Sequence, residues 1–239
     1  MIELKNIVKI FPTKKDDIHA VNGVSLQIQD GEIYGIIGYS GAGKSTLLKM
    51  FNREEMPTSG EILMGNVKIS RLKNNQVYKL RRQVGVIRQK DLFLPNRSAY
   101  ENVEYVLSAC EVPKEEWDKR ILDAFTTVGM WNFREHRTYE LSIGQQKKIA
   151  IARAIVTSPP VLIADEATAN LDNRSAMDIM KLFNKINRKG MTVVFATHDS
   201  TMVNTLRRRT LELSYGNLIR DDKKGGYSAT NDPKNVYVW

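Results

Sequence analysis

Three short stretches hold residues whose types and spacing can do chemistry on a nucleoside phosphate. GYSGAGKS at 38–45 fits the pattern G-x-x-x-x-G-K-[ST]. Average composition makes a chance match in a chain this long about a 1-in-100 event. Around Gly38, Ser40, Gly41 and Gly43, such a loop turns successive backbone N–H groups inward to wrap β- and γ-phosphates. Lys44 adds a cation, and Thr46 falls near the α-phosphate. Ser45 offers a hydroxyl to Mg²⁺, which prefers an octahedron of oxygen ligands. The second stretch, VLIADE at 161–166, sets two acids at the carboxyl end of an apolar strand, the edge at which open α/β sheets bind ligands. Asp165 is suited to hold magnesium, directly or through water, and Glu166 to orient and deprotonate an attacking water. The third, LSIGQQ at 141–146, opens a helical run, and a helix N-terminus attracts anions.

Two single residues gain meaning from this company. A lone histidine is more often structural, but His198 ends the run TVVFATH, one strand away from the acids. From there it can reach a γ-phosphate and the water held by Glu166. Gln89 follows the strand VGVI where a helical stretch begins. It is placed to ligate or sense magnesium and to hinge that stretch.

The elements that must position these groups are legible around them. Residues 2–11 and 20–28 alternate apolar and polar, predicting half-buried strands. Residues 32–37, an apolar run after Glu32, predict a buried parallel strand ahead of the glycine loop. STLLKMFN predicts a helix after it, and 60–69 predict more strand. The first third is thus expected as an antiparallel layer around one buried strand. Helical spacing over 99–109, 115–128 and 144–156 predicts a helical insert. VLIADE, TVVFATH and LELS at 211–214 predict further strands, with a helix over 175–189. Alternating strand and helix implies a mostly parallel sheet covered on both faces. The expected fold is α/β: a phosphate-loop NTPase core with a mostly parallel sheet, an N-terminal antiparallel β layer and an inserted helical subdomain. Residues 1–222 are expected as one domain, with core 1–88 and 158–222 and helical subdomain 89–157. A polar tail occupies 223–239, in which Tyr237, Val238 and Trp239 are placed to dock.

The bulk numbers bound the function classes. With 36 Lys+Arg against 27 Asp+Glu, the 239 residues carry a formal net charge of +9. That balance fits a solvated basic surface, a nucleotide, an anionic membrane surface or nucleic acid. Cys110 stands alone, which excludes an internal disulfide, and it has no His or Cys companions at metal spacing. The opening MIELKNIVKIF lacks the character of a signal peptide, and no apolar run approaches the ~20 residues of a membrane helix. The expected location is the cytoplasmic face of a bacterial membrane, with contact made through a partner.

In this order, the phosphate loop, Gln89, LSIGQQ, VLIADE, ANLD at 169–172 and His198 resemble the ABC-type ATPases, over nearly the whole chain to about Asp222. LSIGQQ is similar to that family's signature LSGGQ. The resemblance implies ATP hydrolysis with ATP and Mg²⁺. It implies that Ser142 and Gly144 contact the γ-phosphate of an ATP held by a second chain, with Gln145 in support. Asp172 would cross the dimer interface, and Phe11 would stack on adenine. One phosphate loop and one signature per chain agree with this. The insert leaves the side of the core away from its own loop, so a two-fold homodimer satisfies both sites.

Departures from the family pattern are specific. Ile143 replaces the first signature glycine, Lys147 and Lys148 stand where a polar residue and arginine are common, Ala167 and Ala169 stand in a stretch often written with Pro and Gly, and Arg88 precedes Gln89 where an aromatic is frequent. Reduced turnover is expected rather than loss. Within the family, 53–62, 80–89, 94–103 and 197–227 resemble the FtsE-type cell-division ATPases, whose closing dimer drives an FtsX-like membrane partner that controls cell-wall hydrolysis. The segments MIELKNIVKIF, GEIYGIIGYSGAGKSTLLKM and DEATANLD look closer to methionine-importer ATPases. Those normally carry a further C-terminal domain, which is not expected in this chain. The FtsE-type function is the expectation. The alternative is the ATPase of an importer for methionine or another small polar solute. A groove beside Gln89, with apolar surface from Val84, Val86, Phe93, Leu94, Tyr100, Val103 and Val106, is expected to receive a partner's short helix. Arg207, Arg208 and Arg209 are expected to meet anionic lipid or that partner. Soluble nucleic-acid-acting members usually carry two cassettes or a coiled-coil insert, so nucleic acid is not an expected partner.

Overall fold

The computed structural model describes residues 1–199, 203–204 and 207–223. The tail from 224 on, with Tyr237, Val238 and Trp239, lies outside the described residues. The chain runs β1 (Ile2–Phe11), β2 (Ile18–Ile28), β3 (Ile33–Ile37), α1 (Lys44–Phe51), β4 (Ser59–Met64), β5 (Val67–Lys68), α2 (Val77–Arg81) and β6 (Val84–Ile87). It continues through α3 (Ala99–Ala109), α4 (Trp117–Val128), α5 (Ile143–Ile155), β7 (Val161–Asp165), α6 (Asn173–Arg188), β8 (Thr192–Thr197), β9 (Arg209–Ser214) and β10 (Asn217–Asp222).

Alternation builds the first sheet. Strands β2-β1-β4-β5 are antiparallel in that order, with Ile2 opposite Ile28, Leu4 opposite Leu26 and Ile7 opposite Val24. Those six side chains are buried, so one face of the sheet is sealed, as alternation requires. The buried parallel strand expected over 32–37 is present, but the expectation that the antiparallel layer surrounds it needs correction. Strand β3 is not enclosed by this layer. It is an inner strand of a second sheet ordered β10-β9-β3-β8-β7-β6. All five of its residues are buried. A strand apolar on both faces needs parallel neighbours and cover on each side, and β8 and β9 flank it in parallel.

The second sheet separates two cores. Val161 and Ile163 face one core with Leu47, Leu48, Met50 and Phe51 of α1, between the two sheets. Leu162 and Ala164 face the other, with Ile149 of α5, Ile179 and Phe183 of α6, and Phe125 of α4. Helices α3 and α5 begin where the sequence supplies serine caps. Ser98 accepts from Glu101 N at 3.1 Å while Glu101 Oε2 accepts from Ser98 N at 2.7 Å, the reciprocal pair that satisfies two free N–H groups at a helix start. Gly129 ends α4 in the left-handed region.

Two elements escape the sequence patterns. Strand β10 is mostly polar and pairs antiparallel with β9 at the sheet edge. Helix α2 is five residues long, too short to show a period. Residues 60–69 are not one strand but the hairpin β4–β5, followed by a 3-10 turn at Ile69–Arg71.

Candidate nucleotide site

Register brings the motifs together. In the parallel sheet, Ile87 is opposite Ala164, Asp165 opposite Ala196, and Ile37 opposite Thr197. The residues just past these strand ends are Gly38 with its loop, His198, Glu166 and, two beyond β6, Gln89. They therefore share one edge. A cleft of about 690 Å³ opens there, and its walls include Phe11, Ser40, Gly41, Gly43, Lys44, Ser45, Thr46, Gln89, Glu166 and His198.

At Gly38 and Gly43 the glycine loop lies so close to its surroundings that a side chain cannot enter. Gly43 caps α1 with φ 104°, and a Cβ there would meet Ala20 O at 2.1 Å. Gly38 has φ 147°, and its Cβ would meet Leu213 O at 2.3 Å. Only glycine tolerates both demands. Gly38 lies behind the cleft wall, where its carbonyl accepts from Lys44 Nζ at 2.7 Å. Tyr39 O accepts from the same ammonium at 3.0 Å, and Glu166 Oε1 stands 3.6 Å from it. Lys44 is thus a buried but compensated cation. Burial holds its pKa below the ordinary lysine range, against the pull of Glu166 and Asp165.

Glu166 is a tightly constrained acid. It is 8% exposed and sits at φ 49°, a conformation that side chains other than glycine rarely adopt and that concentrates at functional sites. Its N–H donates to Ala196 O at 3.0 Å, which ties the strained residue to β8. Its other oxygen, Oε2, lies 2.8 Å from His198 Nδ1. His198 therefore meets the acid directly.

The oxygen pair for a cation stands beside this group. Ser45 Oγ donates to Asp165 Oδ1 at 2.9 Å. Neighbouring ligands of an octahedral Mg²⁺ with ~2.1 Å bonds are about 3 Å apart, so the two oxygens fit such an ion. Among the described residues no group of three or more His, Cys, Asp or Glu is placed to hold a metal ion. Burial raises the Asp165 pKa, opposed by the Ser45 hydrogen bond. Asp165 lies behind Ser45, outside the cleft lining.

Phe11 is the last residue of β1, and Lys9 Nζ stands 4.7 Å from its ring centroid. The cleft also takes in residues the sequence patterns did not flag: Ile18, His19, Tyr39 and Tyr215. Tyr215 is 88% exposed at φ 46°. The adjoining Gly216 donates to Ala42 O at 3.1 Å and its carbonyl accepts from Asn22 N at 2.8 Å. The turn Tyr-Gly before a short strand was the only sequence signal for this hairpin.

Ser142, Gly144, Gln145 and Asp172 do not line the cleft. Ser142 caps α5, accepting from Gln145 N at 3.3 Å while Gln145 Oε1 accepts from Ser142 N at 2.9 Å. Asp172 caps α6 by accepting from Ser175 N at 2.9 Å and from Ser175 Oγ at 2.6 Å, bonds that hold its carboxyl below the usual range. A Cβ on Gly144 would stand 3.1 Å from Ser175 Oγ, so the two helix starts are neighbours. Ile143 is the first residue of α5 and is 58% exposed. Its backbone is helical, so the β-branched side chain is accommodated without a positive φ.

Two expectations about the outer surface change. Val84 and Val103 are core residues, and Val86, Phe93, Tyr100 and Val106 are packed partly against the cores. Of the seven apolar residues expected to line a groove, only Leu94 is exposed. The groove present on the insert is lined instead by Leu94, Pro95, Glu101, Glu104, Tyr105 and Trp117 among others. Arg209 is not free for lipid: it donates to Asp221 at 3.0 and 2.7 Å and to Gln27 O at 2.8 Å. Arg208 donates to Asn184 Oδ1 at 3.1 Å, and Arg207 is exposed. Arg88, the departure before Gln89, is held in a two-point pair with Glu54 at 2.8 and 2.6 Å.

Comparison with known proteins agrees with this geometry. A family model described as ABC transporter matches residues 21–169. The chain is similar to the cell division ATP-binding protein FtsE of Bacillus subtilis strain 168, 38% identical over 229 residues covering 96% of this chain and 99% of that protein. It is also similar to FtsE of Streptococcus pneumoniae serotype 2, 39% identical over 95% of this chain and 97% of that protein. Methionine import ATP-binding protein MetN 1 of Oceanobacillus iheyensis is 39% identical over 98% of this chain and 69% of that protein. Among solved structures, the dimeric ATP-binding cassette MJ0796 in a post-hydrolysis state bound to ADP and Pi has a TM-score of 0.86 and 35% identity, covering 95% of this chain and 100% of that one. No helix among the described residues is long and apolar enough to cross a membrane. The chain belongs to the ABC transporter family and is one of its ATPases.

Proposed function

We propose that this chain is the ATP-hydrolysing subunit of a membrane complex of the FtsE kind. Two copies close on ATP, and the closure drives an FtsX-like membrane partner that controls cell-wall hydrolysis during division. The single observation that carries the hydrolytic part is the joined set Lys44–Glu166–His198 beside Ser45–Asp165 on one sheet edge. The phosphate loop and Lys44 bind the phosphates, and Phe11 offers a ring to the base. Ser45 and Asp165 would hold Mg²⁺, with Gln89 approaching from β6. When bound, Mg²⁺ neutralises charge on the phosphates. Glu166 takes the proton of the attacking water. His198, with Nδ1 against Glu166, orients that carboxylate and turns Nε2 toward the γ-phosphate.

The signature cap supports the dimer. Ser142 and Gly144 present a helix N-terminus outside the cleft, where a second chain's phosphates can meet it. In the resulting pair, Asp172 lies at the interface. Full-length similarity to FtsE proteins supports the division function, and equal identity to MetN 1 over most of this chain keeps the importer as second reading. The organisation suggested from the sequence, a core with a helical subdomain over 89–157, gives the partner a lobe to grip. The groove at Leu94, Tyr105 and Trp117 is its seat.

Affinity purification from detergent-solubilised membranes of the source cell tests the assignment. Recovery of one four-span protein supports the FtsX-like complex. Recovery of a permease with a solute-binding lipoprotein supports the importer and overturns the division reading.

Ile143 tests the contact between copies. Its apolar, exposed side chain occupies the first signature position, where glycine would leave room for the opposing phosphates. Ile143→Gly is expected to raise turnover about threefold, under ~1 kcal/mol of barrier, in a steady-state phosphate-release assay. An equal or lower rate removes Ile143 as a brake.

A further inference from the structure

The segment that carries Gln89 is fastened to the signature helix rather than left to the core. Lys147, in the second turn of α5, is 3% exposed. Its Nζ donates to Arg88 O at 3.0 Å and to Gln89 O at 3.4 Å, and lies 2.7 Å from Asp91 Oδ2. Further along the same helix, Arg153 donates to Leu92 O, and its guanidinium lies 5.0 Å from the centroid of Phe93. Residues 88–93 are therefore gripped by two cations of one helix.

Stability alone does not account for the first grip. A desolvated Lys–Asp pair gives no more stability than apolar residues of similar volume. Here the cost is raised further, because Asp91 Oδ1 is buried with no partner. What the ammonium supplies is direction. Its three N–H groups fix two successive carbonyls and one carboxylate, which sets the backbone at Gln89. Gln89 lines the nucleotide cleft, and the same helix begins at the Ser142 cap.

We propose that Lys147 and Asp91 are positioning residues that lock the Gln89 segment to α5, so that Gln89 and the signature cap move as one body relative to Lys44, Ser45 and Glu166. Approach of the signature to a second chain's ATP then brings Gln89 into its own site in the same movement. This rests on the assignment of Gln89 to the magnesium and water site.

The test compares Gln89→Ala, Lys147→Met, Lys147→Met with Asp91→Leu, and Lys147→Met with Gln89→Ala in the full chain. Each is measured for kcat, KM, the Mg²⁺ concentration at half-maximal rate, binding of a fluorescent ATP analogue, and Tm. Lys147→Met is expected to lower kcat about tenfold and raise the Mg²⁺ requirement, with nucleotide binding within about twofold. The apolar pair is expected to recover the melting temperature but not kcat. In the Gln89→Ala background, Lys147→Met is expected to cost less than about twofold more, because coupled residues are not additive. Wild-type kcat in the apolar pair would reduce Lys147 and Asp91 to packing and overturn the proposal. An additive loss with Gln89→Ala overturns it alone, since Lys147 would then act without Gln89. A silent Gln89→Ala instead overturns the assignment of Gln89, and the proposal with it.

Discussion

Lys44→Ala is expected to abolish ATP binding. The ammonium is buried at the centre of the glycine loop and holds two loop carbonyls within 3.0 Å. Removing it takes away the buried cation proposed to meet the phosphates inside the loop, and leaves Glu166 without the positive neighbour that stands 3.6 Å away. Removing one side of a desolvated charge pair between protein and ligand, here ammonium and phosphate, costs about 2–5 kcal/mol of binding. That corresponds to at least ~30-fold and up to several thousand-fold in affinity. The fold is expected to survive. Burial already holds Lys44 below its ordinary pKa, so keeping it charged costs the native state. The melting temperature is expected to move by less than about 4 °C, the scale of ~1 kcal/mol in a domain of this size. Isothermal titration with Mg-ATP checks the loss, with a thermal melt as control. Affinity within twofold of wild type would remove Lys44 from the phosphate site.

Glu166→Gln is expected to stop turnover while leaving ATP bound. The substitution keeps the size of the side chain and its place between His198 Nδ1 at 2.8 Å and Lys44 Nζ at 3.6 Å. It removes the basic oxygen proposed to take the proton of water. General-base contributions are about 10²–10⁴-fold, so kcat is expected to fall at least ~100-fold. The loss of a negative charge beside the phosphates also favours retention of ATP. Single-turnover hydrolysis with a filter-binding assay separates the two effects. An unchanged rate would show that Glu166 is not the base.

Much of the site is written in the sequence because phosphate chemistry demands residues at fixed offsets. Gly38, Gly43, Lys44 and Ser45 belong to one loop, and the acids and His198 end strands whose apolar runs are plain. Register then does the rest: three parallel strands end at one level, and their next residues meet. The features that escape the sequence depend on distant pairs. Lys147 reads as a surface lysine of a helix, yet it is buried because Asp91 and two carbonyls wait 56 to 59 positions earlier in the chain. Arg209 reads as part of a basic cluster, yet Asp221 and Glu32 consume it. Val103 reads as available apolar surface, but its helical spacing with Leu107 turns both into the insert's core. Strand β3 belongs to the second sheet rather than the antiparallel layer, because an apolar run reports burial on both faces, not the identity of its neighbours.

A clamp in which each chain holds half of two ATP sites is tested most directly by sedimentation velocity of Glu166→Gln, with and without Mg-ATP. A monomer is predicted without nucleotide and a dimer with Mg-ATP. The dimer should be lost when Ser142, which caps the signature helix, is replaced by Arg. A monomer at high protein concentration in saturating Mg-ATP would contradict the two-chain clamp.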